Sequence, residues 1–171
     1  MTVLFRVPAG LLERVRADLR RPHRFAHERI GFIVCRVGRL HGDGLTILGA
    51  GYEAVADDDY VDLPGAGATM GPQAIRKALQ LAYNQGAGDL SMIHVHMHGH
   101  AGMPRFSSVD DREGRRFVPD FFNVAPQVPH GALVLSNDMA FGLCWPGPDK
   151  EPVPIARYAI VGAPFRVWEK A

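Results

Sequence analysis

Apolar positions recur along the chain in two rhythms, and each predicts its own elements. Thr2 to Val7 is a short β-prone run, and Leu11, Leu12, Val15 and Leu19 then fall at three-and-four spacing, the stripe of an amphipathic helix that Pro22 must end. Ile30 to Val37 is almost unbroken in its apolarity, which predicts a central strand buried on both faces, with Glu28 at its mouth. Gly42-Asp43-Gly44 is a turn signal, so Leu45 to Ala56 is expected to return as a hairpin partner until Asp57-Asp58-Asp59 interrupts it. Tyr60 to Leu63 reads as a further short strand and Pro64 to Ala68 as a glycine-containing loop with too few of the positions a phosphate-binding fingerprint needs.

Helical spacing resumes at Gly71-Pro72, with Ile75, Leu79 and Ala82 as the inward stripe and Gly86-Ala87-Gly88 as the stop. Leu90 to His98 alternates as a strand does. A loop from Gly99 to Phe106, a helix from about Ser108 to Phe117 and a loop over Asp120 to Pro129 follow. Ala132 to Ser136, Ala140 to Trp145, Ala156 to Val161 and Phe165 to Trp168 predict the closing strands, with Pro146-Gly147-Pro148 as a turn. This order implies an α+β (mixed α/β) fold, a mostly antiparallel sheet flanked by helices, with residues 1–171 as one domain.

Composition narrows the function classes. With 171 residues and a net charge of +1 spread along the chain, there is no basic field to favour nucleic acid and enough length for a real core. The longest apolar runs are too short to span a bilayer, and the first residues lack the plan of a signal peptide, so no membrane association and a cytoplasmic location are expected. Cys35 and Cys144 sit in strand-like runs without CxxC spacing and read as buried, reduced thiols.

Candidate chemistry is concentrated in one stretch. Four of the eight histidines lie in Ile93-His94-Val95-His96-Met97-His98-Gly99-His100. Residues two apart on a strand share a face, so His94, His96, His98 and the outlying His100 form a row of imidazoles, a geometry suited to zinc. Catalytic zinc takes three protein ligands and leaves a fourth position for water, so a carboxylate is needed nearby; Asp110 or Asp111 supplies it. Ser107/Asp110 and Ser108/Asp111 each also have the spacing of a helix capping box, a role that does not account for the histidine row. His23, His27, His41 and His130 are expected to be surface or structural.

Glu28 before Ile30-Gly31-Phe32-Ile33, His-x-His at the end of a strand that follows a helix, and Phe106-Ser107-Ser108-Val109-Asp110 together resemble the JAMM motif of the JAB/MPN metalloproteases. The likeness covers residues 28–111. It implies a zinc ion held by two histidines and an aspartate, a glutamate as general base and a serine that stabilises the oxyanion. It also implies cleavage of isopeptide or peptide bonds after the C-terminus of a ubiquitin-like protein, in bacteria often beside a ubiquitin-like conjugation or sulfur-carrier system.

The histidine run offers three registers for such a motif. His98/His100 with Ser108 and Asp111 keeps the family's seven intervening residues, whereas His96/His98 with Ser107 and Asp110 gives eight. The strand length before the first ligand and the apolar Phe106 before the serine favour His96, His98 and Asp110 as ligands of one Zn2+ per chain, with Glu28 and Ser107 catalytic. Gly99 stands where the family usually has proline. The long loops Asp57 to Met70 and Asn123 to Pro129 are the expected walls of a groove for an extended substrate tail. Elemental analysis of the purified protein is expected to find one zinc per chain, lost on alanine substitution at His96, His98 or Asp110 and kept on substitution at Asp111.

Overall fold

The computed structural model describes residues 1–40, 42–63, 67–86, 89–162 and 166–169. In chain order they form β1 (Val3–Pro8), α1 (Ala9–Leu19), β2 (Ile30–Arg39), β3 (Leu45–Ala54), α2 (Pro72–Gly86), β4 (Ser91–Met97), α3 (Ser108–Phe117), β5 (His130–Leu135), β6 (Ala140–Trp145), β7 (Val153–Pro154), β8 (Arg157–Val161) and β9 (Arg166–Glu169). Single 3-10 turns lie at Asp57–Asp59 and Val118–Asn123, the second at the head of a segment expected to be a plain loop. Tyr60 to Leu63 does not extend into a strand; Tyr60 makes an isolated bridge with Met70. His41, residues 64–66 of the expected loop, the Ala87-Gly88 stop and Phe165 lie outside the described residues.

The strands lie in one sheet in the order β7-β6-β5-β4-β2-β3-β1-β8-β9. Five of the eight pairings are antiparallel, while β1 runs parallel to both β3 and β8, and β4 runs parallel to β5. The class is α+β with a mixed sheet. The parallel pair β4/β5 needs a long crossover, which α3 with its following turn supplies, while α2 and the residues around it carry the chain past β2 from β3 to β4.

Side-chain alternation divides the core between the two faces of the sheet. Helix α1 covers one face, where its Leu11, Leu12, Val15 and Leu19 pack with Phe5, Ile33, Ile47, Ile93, Val95 and Leu133. Helix α2 and the 118–123 turn cover the other, where Ala74, Ala78 and Phe121 meet Ile30, Phe32, Val34 and Met92. The sandwiched run Ile30 to Cys35 is buried at every position, which is why it reads as a continuous apolar stretch. Gly31 is required there, since a side chain at 31 would collide with the Tyr52 ring. Tyr52 lies across Gly31 to donate a 2.6 Å hydrogen bond to Asp18 at the end of α1.

His130 opens β5 fully buried, stacked on Phe121 and edge-on to Phe122. Its Nδ1 accepts from Met92 N at 3.1 Å, so its Nε2 carries the proton and donates to the Ala125 carbonyl at 2.9 Å. Burial lowers its pKa to about 4. The unfolded chain therefore binds a proton at His130 that the folded chain refuses between the ordinary histidine value and about 4. Stability from this site is complete above about pH 6.5 and falls by about 3 kcal/mol at most as pH drops to 4. Denaturant unfolding across that window is expected to show a shallower pH slope in His130→Asn than in the unaltered protein.

Candidate metal centre

The β2/β4 register brings the site together. Ile30 is opposite His96, and extending that antiparallel pairing two residues outward sets Glu28 opposite His98. His98 stands just past the end of β4, held by its backbone N–H to the Leu135 carbonyl at 2.9 Å. His96 and His98 lie side by side with ring centroids 5.1 Å apart. Nε2 of His98 is 3.7 Å from Oε1 of Glu28, and suitable donor atoms of Glu28, His96 and His98 all lie within 4.8 Å of one another.

A second carboxylate arrives from α3. Ser107 caps that helix, its Oγ accepting from Asp110 N at 3.1 Å while its own N–H donates to Asp110 Oδ2 at 2.8 Å, a complete capping box. The same Oδ2 lies 3.5 Å from His96 Nε2 and 3.8 Å from His98 Nε2. The cap thus aims the Asp110 carboxylate at both imidazoles. Burial works to raise the pKa of Asp110, but His96 and the Ser107 groups outweigh it and hold the carboxyl well below the usual carboxylate range.

The other members of the histidine row stand apart from this convergence. His94 stands two residues back along β4, half-buried between Phe32 and Phe117, and desolvation, with His96 as a lesser influence, lowers its pKa to about 3. His100 is exposed and turns its Nδ1 to the Ala101 carbonyl. Asp111 is paired with Arg115 at 3.1 Å, one turn along α3. His23 is structural, with its Nδ1 accepting from Ala26 N at 3.1 Å.

Do these residues suit a cation? The Nε2 atom of His96 is buried and has no hydrogen-bond partner. Burial first, and His96 second, lower the pKa of His98, which keeps that ring neutral with a lone pair to offer. Ligands about 2.0–2.1 Å from a tetrahedral ion stand roughly 3.3 Å from each other. The nitrogen–oxygen separations of 3.5 to 3.8 Å are within a few tenths of an ångström of that spacing. Two imidazoles and two carboxylates form a donor set that fits zinc or a similar divalent ion.

Residues that pattern reading missed hold Glu28 in place. Arg29, only 1 % exposed, forms an ion pair with Asp57 and reaches the Pro22 carbonyl at 3.4 Å. Its guanidinium lies 5.7 Å from the Tyr60 ring, whose hydroxyl accepts from Ile30 N at 2.7 Å. Arg21 joins Asp57 to Asp18, so the Asp57-Asp58-Asp59 run that looked like an interruption is an anchor. A cleft of about 440 Å³ beside Glu28 is lined by Arg20, His27, Arg29, Gly99 and Asn137. One expected groove wall is misplaced: the parallel β4/β5 register sets residue 130 level with Met92, at the far end of β4, about 20 Å from His98. Asn123 to Pro129 thus borders the opposite end of the sheet.

No family model and no curated protein matches this sequence. Among solved structures, the Trichoplax adhaerens STIL N-terminal domain is similar with a TM-score of 0.35 and 9% identity, over 81% of this chain and 40% of that one. That likeness is too faint to inform function, and the chain spans well under half of that protein's length. The resemblance to the JAB/MPN family therefore rests on the residues and their arrangement alone.

Because Ser107 closes the α3 cap, Ser107→Ala is expected to cost about 1 kcal/mol of stability by denaturant unfolding. Zinc uptake should survive that change, as no ligand atom is removed.

Proposed function

We propose that this chain is a zinc-dependent isopeptidase or peptidase that cuts after the C-terminus of a ubiquitin-like protein, in conjugate release or precursor processing. The observation that carries the reading is the meeting of Glu28, His96 and His98 at one spot on the sheet, with Asp110 Oδ2 3.5 and 3.8 Å from the two imidazoles and Ser107 capping the helix that delivers it. His96, His98 and Asp110 hold the metal, which when bound lowers the pKa of a water and polarises the scissile carbonyl. Glu28, a third exposed, is placed to take the proton of the attacking water and pass it to the leaving amine. The Ser107 hydroxyl accepts from Asp110 N, and its own proton has no acceptor among the described residues, so it can donate to the developing oxyanion.

The substrate tail has a natural wall in the loop that follows Asp57. Val61 N–H donates to the Thr69 carbonyl at 2.9 Å, so the loop's two arms are tied together, and Val61 and Leu63 turn apolar side chains to solvent. A ubiquitin-like tail laid along this loop would meet apolar side chains and backbone, the usual means of gripping an extended peptide. A bacterial ubiquitin-like conjugation system is the corresponding partner.

A second reading has its own observation. Glu28 lies as near His98 as Asp110 does, so it can act as a third ligand rather than a base, and the protein would then be a metal-binding module or silent scaffold of the same fold. One substitution separates the two. In Glu28→Gln the proposed enzyme keeps its zinc and loses hydrolysis of a ubiquitin-like fusion, whereas His98→Ala loses the metal. Retained turnover in Glu28→Gln, or zinc lost with it, would sink the proposed mechanism.

A further inference from the structure

We infer that Gly67 is a positioning residue for Glu28, an inference that rests on the proposed role of Glu28 as base. The Gly67 carbonyl accepts from two successive backbone N–H groups, His27 at 2.8 Å and Glu28 at 3.2 Å. This bifurcated contact ties the loop beyond Asp57 to the segment that presents the carboxylate. The same glycine touches the side chain as well: a Cβ built on Gly67 would lie 3.3 Å from Glu28 Oε2 and 3.4 Å from its Cδ. At that separation the carboxylate has to retreat by a few tenths of an ångström.

What the missing side chain leaves is room for the end of Glu28. That end is flexible, so displacing it costs the fold little, yet proton transfer depends on hydrogen-bond reach to the water, and small misplacements lower rates steeply. Gly67 is the point at which the loop bordering the proposed substrate path and the base come into contact. A shift of the loop at Gly67 reaches the carboxylate directly.

The test is Gly67→Ala in the zinc-loaded, full-length protein, with a ubiquitin-like fusion as substrate. The expected result is a kcat reduced about tenfold, KM within about twofold, unchanged zinc affinity by chelator competition, and a displaced Glu28 Cδ resonance in the metal-free protein. In a Glu28→Asp background, whose carboxylate is one methylene shorter and clears the new Cβ, the same change should cost about twofold or less. Unchanged kcat together with an unmoved Cδ resonance overturns the inference. So does a kcat loss accompanied by loss of zinc or of thermal stability, since Gly67 would then serve the fold and not the base. Inactivity of the zinc-loaded unaltered protein overturns the peptidase reading instead, and the Cδ resonance then decides the contact alone.

Discussion

Everything at the candidate site depends on the antiparallel pairing of β2 with β4. A shift of one residue in that register would send the histidines into the apolar face under α1 and deliver Ile93 and Val95 to the site. The register is held hard because β2 is buried on both sides. Phe32 and Val34 fit only against α2 and its neighbours, Ile33 and Cys35 only against α1. The packing of the hydrophobic core is thus also what sets the separation of Glu28 from His98.

Economy at the second carboxylate follows from the same logic. Asp110 lies in the first turn of α3 and faces two imidazoles with the same oxygen. A capping box gives a carboxylate a fixed direction without a dedicated support, and the N-terminal end of a helix favours its negative charge. Burial favours the neutral form of His98, whose ring faces both carboxylates.

Much of this was legible in the chain, for physical reasons that differ from place to place. Periodicity two located β4 and the shared face of its histidines, and a doubly buried run located β2, because both signals are consequences of burial. The Ser107/Asp110 spacing could be read as cap or ligand, and the geometry has the capping carboxylate 3.5 Å from His96. Long-range pairings were not legible. Nothing local says that Asp57 reaches back to Arg29, that β1 lies beside β8, or that residues 123–129 sit far from the histidines, since each depends on strand order. The two-residue strand β7 was missed because Val153–Pro154 is too short to show a period and proline is tolerated only at an edge.

The seating of β1 between β3 and β8 has a further consequence for how the molecule comes to be made. Leu4 is opposite both Thr46 and Arg157, so β1 is hydrogen-bonded on one side to chain made soon after it and on the other to chain made much later. During synthesis the outer edge of β1 stays unpaired until β8 has emerged, with its row of backbone donors and acceptors open to any passing strand. Helix α1 meanwhile has only part of its apolar bed, since Tyr158 and Ile160 complete it. The sheet closes late, and a nascent chain is most exposed to mispairing over the interval in which β2, β4 and their histidines are already in place.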